Sequence, residues 1–306
     1  MKVLIASSSL LAIPLFEKLS ESTDHQILGL ITNSDKPTGR GQKVEANELA
    51  VWGQSFNLDI FKVGSSSEIE HVLNQLKPEI VLTIAFGHLI KKSVLSMPDY
   101  GWINIHFSLL PKWKGAAPVQ YAILNGESQT GVSIFKLDEG MDTGPIYLME
   151  EVEIDPHETS NQLLSRLSVK GARLAVDALK LIMDGVEPVS QDLDVSSFAP
   201  KLKKSDGEVN WQSNSTQIYN QFRALGENPG VWSKLGSERI KFEQLRVSYL
   251  PKELKPGQLL IENEKMYAGT NDGAVEILAI TPSGRGSMSA AEFVRGLRVK
   301  DGLKLG

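Results

Sequence analysis

The chain has no cysteine, which removes disulfide frameworks, thiolate zinc sites and cysteine nucleophiles together. It also has no stretch approaching the roughly 18 consecutive apolar residues that a membrane span requires. Met1-Lys2-Val3-Leu4-Ile5-Ala6 carries one basic residue and an apolar run too short for a secretory signal. That run reads as a first β-strand, and the protein as cytoplasmic with no membrane partner. The Gly-x-Gly-x-x-Gly pattern of a dinucleotide fold is missing after it, because Ser7-Ser8-Ser9 stands there, so NAD binding gains no support. His25, His71, His88 and His157 show no metal-ligand spacing, and no metal is expected.

What is present is an ordinary globular composition, 41% apolar and 23% charged over 306 residues, a length that favours two domains over one. The net charge of −5 argues against a protein that coats nucleic acid along its whole surface. The charge is uneven, however: residues 200–306 hold 16 Lys and Arg against 12 Asp and Glu. The C-terminal third is therefore the better candidate for meeting a polyanion.

In the first half, apolar runs at Lys2 to Ser7, Ile27 to Thr32, Ile80 to Ala85 and Trp102 to His106 alternate with helical spacing at Leu10 to Leu19, Ile69 to Leu76 and Leu89 to Leu95. This alternation predicts an α/β domain: a Rossmann-like, mostly parallel sheet with helices on both faces. Two more strands follow, at Gly131 to Leu137 and Ile146 to Ile154. A long helix from Glu158-Thr159-Ser160 is stopped by Gly185 and Pro188. These elements assign residues 1–190 to a catalytic domain and the polar, basic stretch 191–206 to a linker. Residues 207–306, with a helix at Thr216 to Leu225, short strands between Pro, Gly and Asn, and a closing helix at Ala290 to Arg295, suit a smaller β-barrel or sandwich domain.

Asn104 and His106 lie two residues apart, so on a strand both side chains project from one face, at the end where open α/β sheets place ligand crevices. They offer an amide donor and a titratable imidazole to one reacting atom. Asp142, in the loop Gly140-Met141-Asp142-Thr143-Gly144, can tune or orient that imidazole. The set suits attack on a carbonyl. After His106, Ser108-Leu109-Leu110-Pro111 and Lys112-Trp113-Lys114-Gly115-Ala116-Ala117-Pro118 combine a proline turn, two cations and an aromatic, as a ligand wall would. The loop Asp35 to Lys43 holds three cations, Lys36, Arg40 and Lys43; the residues alone leave open a solvated turn or a clamp on phosphates. Arg285, Arg295, Arg298 and Lys300 admit the same two readings.

The run Ile103 to Pro111, with Gly115-Ala116-Ala117-Pro118 and Met141-Asp142-Thr143-Gly144, resembles the 10-formyltetrahydrofolate-dependent formyltransferases. Within them, the Lys36 to Lys43 loop and the β-rich C-terminal module make the chain similar to the members that act on methionyl-tRNA. The resemblance covers nearly the whole chain. It implies a folate-binding catalytic domain and an OB-like C-terminal domain that helps hold tRNA, with Asn104, His106 and Asp142 as the catalytic triad. It places Phe86, Gly87, His88, Leu89, Ser108, Leu109, Leu110 and Pro111 at the folate. Lys36, Arg40 and Lys43 would meet the acceptor arm, joined by the basic residues Lys201, Lys203 and Lys204. The implied co-substrate is 10-formyltetrahydrofolate without a metal, the implied partner is initiator Met-tRNA, and a monomer is expected. In the implied reaction Asn104 and a protonated or hydrogen-bonding His106 stabilise an oxyanion, while Asp142 holds His106 in its useful state and helps accept the proton leaving the ammonium nucleophile.

The chain departs from the family pattern at Ser7-Ser8-Ser9, where Gly-Thr-Pro is common, and at Lys114, where arginine is usual and a lysine lacks the bidentate fork. The same triad chemistry would serve a formyltransferase acting on an amino-sugar nucleotide or glycinamide ribonucleotide, or a folate deformylase. A different class, a non-catalytic RNA- or folate-binding protein, also remains. Arg40→Ala is expected to weaken productive use of charged tRNA with a smaller effect on folate binding; unchanged formylation kinetics on charged tRNA would overturn the assignment of that loop.

Overall fold

The computed structural model describes residues 1–38, 43–249, 253–298 and 301–306. The chain forms two compact units. Met1–Pro118, Gln129–Glu153 and Leu163–Pro200 make the first, and Val119–Ser128, Ile154–Gln162 and Lys201–Gly306 the second.

The strands through the first unit are β1 (Lys2–Ser7), β2 (Gln26–Asn33), β3 (Lys36–Thr38), β4 (Lys43–Glu45), β5 (Ile60–Val63), β6 (Ile80–Ile84), β7 (Trp102–His106), β8 (Lys114–Gly115), β9 (Gln129–Lys136), β10 (Ile146–Glu153) and β11 (Phe198–Ala199). The helices up to that point are α1 (Ile13–Ser20), α2 (Glu48–Ser55), α3 (Ser66–Leu76), α4 (Lys92–Leu95), α5 (Pro118–Leu124) and α6 (Ser160–Met183). Seven strands form one sheet in the order β10-β9-β7-β6-β1-β2-β5. β5, β2, β1, β6 and β7 run parallel, whereas β9 is antiparallel to β7 and β10 to β9. The chain winds outward from β1 to β2 and β5, then returns to lay β6 and β7 on the other side. The order therefore reverses between β1 and β6, and the crevice beyond their C-terminal ends is where such sheets bind ligands.

Alternation along the strands divides the core. Leu4, Ala6, Ile31, Val81 and Trp102 face a cluster completed by Ile69, Val72 and Leu73 of α3 and Val94 of α4. On the opposite face, a Cβ added to Gly53 of α2 would lie 3.6 Å from Leu30, and one added to Gly171 of α6 would lie 2.7 Å from Ile105 Cγ2. Helices thus cover both faces, as the alternation predicts. β7 shows the consequence most sharply. Its odd residues Ile103 and Ile105 are buried against the α6 side, and its even residues run from the core Trp102 to the polar pair Asn104 and His106.

In the second unit α7 (Ser215–Leu225) precedes β12 (Val231–Leu235), β13 (Glu238–Ser248), β14 (Leu259–Glu262), β15 (Lys265–Gly269), β16 (Ala274–Pro282), β17 (Met288–Ser289) and α8 (Ala290–Gly296). The antiparallel sheet has the order β12-β13-β16-β15-β14, with β17 on β16. Main-chain bridges Leu235↔Leu305 and Gln258↔Lys304 tie one short segment to the strand edges on both sides, which rolls the sheet into a barrel and leaves its edges paired.

Three local expectations differ from the structure. The pattern over Leu89 to Leu95 is helical only at Lys92–Leu95; Lys91 adopts an extended cap (φ −68°, ψ 150°), and Ile90 is buried while its neighbour Leu89 is 86% exposed, a one-residue alternation that extended chain gives and helix does not. The run from Leu10 opens as a 3₁₀ turn, Leu10–Ala12, before Pro14 starts α1 at a position where no N–H is needed. The polar stretch 191–206 is not free chain: Phe198 and Ala199 pair in parallel with Lys114 and Gly115, and the change of unit falls at Pro200 and Lys201. Gly171→Val is expected to lower folding stability by about 1–3 kcal/mol, because its branched side chain must enter space already taken by Ile105; urea denaturation checks this, and an unchanged midpoint would contradict the packing.

Candidate active site

His106 is the last residue of β7 and is 5% exposed. Its Nε2 lies 3.1 Å from the main-chain oxygen of Trp113. A carbonyl can only accept, so Nε2 carries the hydrogen and Nδ1 of the neutral ring keeps its lone pair. That lone pair faces Asp142 Oδ2 at 3.8 Å. Burial pushes the imidazole below its ordinary value, opposed by the Asp142 carboxylate and by the bond to Trp113. The ring is therefore neutral at pH 7, with its basic nitrogen beside a group that would stabilise the charge it acquires on accepting a proton.

Asp142 is placed by main chain. Its Oδ2 accepts a 2.7 Å hydrogen bond from Gly115 N, and Gln191 Nε2 donates to the carbonyls of Asp142 (2.9 Å) and Gly144 (2.7 Å). The loop is tight: a Cβ on Gly144 would sit 1.8 Å from the Lys136 oxygen, and Asp142 itself takes φ +53°. The segment that holds both side chains is held in turn. Trp113 N donates to Ser197 Oγ (2.9 Å), Lys114 N to Ser197 O (2.9 Å) and Ala116 N to Ala199 O (2.8 Å).

Asn104 lies between Thr83 of β6 and Phe135 of β9 in the sheet. Its partly exposed amide makes no hydrogen bond to another side chain or carbonyl among the described residues. The structure thus gathers the three residues singled out from the sequence. Two are in direct register on one strand face, and the third is brought to His106 from a separate loop.

The other candidate positions divide. After β6, Ala85 and Gly87 take φ +46° and +73°, and the rings of Phe86 and His88 pack with centroids 4.7 Å apart beside the exposed Leu89. His88 Nε2 bonds to Asn33 Oδ1 at the end of β2. Asn33 N donates to Ser8 Oγ (3.0 Å), and Asn47, the cap of α2, donates to Thr32 Oγ1 (3.0 Å) and Asn33 O (3.3 Å). Ser8, in the turn where a glycine is common, is therefore part of a polar clasp around the crevice. Ser108 and Leu110 do not line a surface. Ser108 is fully buried with its hydroxyl donating to Lys112 O (2.6 Å), and Leu110 is 3% exposed, so they brace the turn, leaving Leu109 and Pro111 partly accessible.

Lys114 is also buried, at 4% exposure, with its ammonium 5.0 Å from the centre of the Phe198 ring. Arg40 and Lys300 lie outside the described residues, and of Lys36 and Lys43 only the strand backbone, β3 paired with β4, is described. Lys201, Lys203 and Lys204 are exposed. Arg298 is exposed as well, and Arg295 pairs with Glu264 at 3.0 Å. Among the described residues no group of acidic, histidine or cysteine side chains could hold a metal, and no helix is long and apolar enough to cross a membrane.

Residues 1–179 match the model of the formyl transferase family, and residues 201–298 that of the formyl transferase C-terminal domain. A methionyl-tRNA formyltransferase of Salinispora arenicola is 37% identical over 99% of both chains, and one of Renibacterium salmoninarum 34% identical over all of both. The chain belongs to the methionyl-tRNA formyltransferase family. Its fold is shared with the methionyl-tRNA formyltransferase of Clostridium thermocellum (TM-score 0.60, 21% identity, 91% of this chain and 99% of that one). It is also shared with HypX of Aquifex aeolicus in complex with tetrahydrofolic acid (TM-score 0.69, 18% identity, 97% of this chain and 48% of that one).

Three contributors escaped the sequence reading. Gln191 sits 49 positions from Asp142 with no motif around it, and the Trp113 carbonyl and Gly115 N–H act through main chain, which side-chain pattern does not encode. Since burial holds the His106 midpoint below 6.5 and Asp142 pulls it upward, Asp142→Asn is expected to move that midpoint lower still. A histidine-resolved NMR titration reads the shift, and an upward movement would contradict the arrangement.

Proposed function

We propose that the chain transfers the formyl group of 10-formyltetrahydrofolate to the α-amino group of the methionine esterified to initiator tRNA. The observation that carries this reading is the state of His106: a buried neutral imidazole whose Nε2–H is spent on Trp113 O and whose Nδ1 faces Asp142 at 3.8 Å. Relatives 33–37% identical over their full length bear the name of this activity and favour it over transfer to an amino-sugar nucleotide, to glycinamide ribonucleotide or to water.

The half-buried His88 ring and the exposed Leu89 suit a flat heterocycle at the end of β6, with Phe86 buried in the core beneath His88. The folate supplies an electrophilic formyl carbon with N10 as the leaving nitrogen. The acceptor's free amine forms the new C–N bond, and the unpaired amide N–H of Asn104 is available to the formyl oxygen as it gains negative charge. His106 Nδ1 takes the proton released by the amine, and Asp142 steadies the imidazolium so formed. The proton then goes to N10 as its bond to the formyl carbon breaks, which returns His106 to its neutral state. This departs from the role implied by the resemblance, in which His106 stabilises the oxyanion and Asp142 helps accept the proton: with Nε2–H spent on Trp113 O, the geometry favours His106 as base. One chain holds all three residues, so the reading needs no second subunit, and a charged tRNA acceptor places the work in the cytoplasm.

Asn104→Ala is expected to lower turnover about 10²- to 10³-fold and His106→Ala about 10²- to 10⁴-fold, each with tRNA affinity nearly intact. The decisive assay offers 10-formyltetrahydrofolate with charged initiator tRNA, uncharged tRNA, amino-sugar nucleotide or water. Formyl transfer to the charged tRNA alone supports the reading; transfer to any other acceptor in its place refutes it.

A further inference from the structure

Phe198 has no part in the reaction as described, yet it is a large apolar side chain left 59% exposed beside the site. Its place is fixed from two sides. Its backbone pairs with Lys114 in the β8–β11 ladder, and the Lys114 ammonium lies 5.0 Å from its ring centre. The strand it pairs with is the one that sets the site: Trp113 O holds His106, and Gly115 N holds Asp142. Phe198 is therefore one strand-width from the main chain that positions both catalytic groups. Lys114 forms no salt bridge or hydrogen bond through its ammonium with any described residue, and its stem is buried. A cation whose only partner is an aromatic face keeps its hydrogen-bond donors for something else.

We infer that Phe198 and Lys114 form the subsite for the 3′-terminal nucleotide of the acceptor, the ring stacking on the terminal base and the ammonium meeting a backbone phosphate. The inference rests on the tRNA reading above. Its logic is covalent: the amine that reaches His106 and Asp142 is joined through one ester to the terminal ribose, so the base on that ribose must lie close to the catalytic pair. An exposed aromatic ring beside a cation is the combination that binds single-stranded ends without needing a paired partner.

Because Phe198 is exposed, Phe198→Ala should fold with an unchanged melting midpoint. It is expected to raise KM for methionyl-tRNA about 5- to 150-fold, the worth of one base–aromatic stack, with kcat and the KM for 10-formyltetrahydrofolate within about twofold of wild type. Phe198→Tyr should restore the wild-type KM. Lys114→Met should make tRNA binding less salt-sensitive, its log–log slope shallower by about 0.7. In Phe198→Trp, uncharged tRNA should quench the new indole's fluorescence, and the same tRNA with an abasic 3′ residue should not. A KM for methionyl-tRNA unchanged in Phe198→Ala overturns the subsite, as does equal quenching by the abasic tRNA. A rise confined to the folate KM overturns it too, by placing the ring against the other substrate. These results are read on a wild-type protein that formylates methionyl-tRNA; absence of that activity is instead the failure of the functional reading.

Discussion

The main chain of Trp113 to Gly115 is the constraint on which the site depends. Its carbonyl fixes the tautomer of His106, and one residue pair later its N–H fixes the carboxylate of Asp142. Neither side chain has to be ordered by the other, and they stand 3.8 Å apart. A closer imidazole–carboxylate pair would raise the affinity of His106 for a proton and hold it as imidazolium. At this distance burial prevails, and the ring stays a free base. Holding a segment so firmly requires its own support, and the ladder to Ser197–Ala199 provides it through three main-chain donors.

The crevice is also where the backbone departs from relaxed geometry. Ala85, Trp113 and Asp142 all take positive φ without being glycine, at a cost of order 1–3 kcal/mol each. Ala85 follows β6 and leads to the aromatic pair, Trp113 precedes β8 and supplies the carbonyl that holds His106, and Asp142 carries the carboxylate in the loop between β9 and β10. Around them, the clasp of Ser8, Thr32, Asn33, Asn47 and His88 joins the ends of β1, β2 and β6 through hydrogen bonds between short polar side chains. Such residues pack poorly in a core and hydrogen-bond well at strand termini, so the sheet can stay apolar through its length and turn polar only at one rim.

The parallel sheet was legible because its strands are near-continuous apolar runs, and β1 and β7 lie where the sequence placed them, residue for residue at Lys2 to Ser7 and Trp102 to His106. The pair Asn104 and His106 was legible for a related reason: two polar residues at alternate positions closing an apolar strand have no packing role there. β5 and α2 were not recognised, since Ile60–Val63 is short and α2 mixes Trp, Gly and polar residues without a clear face. β8 and β11 are two residues each, and their pairing joins positions 84 apart, so no local pattern announces them. Ser108 illustrates the opposite error. A hydroxyl in a conspicuous turn reads as a ligand contact, yet the turn closes around it and uses it internally.

The division of the chain into units has a consequence for modular change. The catalytic unit is interrupted twice, at Val119–Ser128 and Ile154–Gln162, by segments that count with the barrel. Recombination at the single junction near Pro200 would transplant a barrel without two of its own pieces and leave a catalytic unit carrying two foreign ones. Exchange of the second unit between relatives is therefore a three-piece operation. A lineage with this architecture is expected to change that unit by substitutions within it more readily than by swapping it whole.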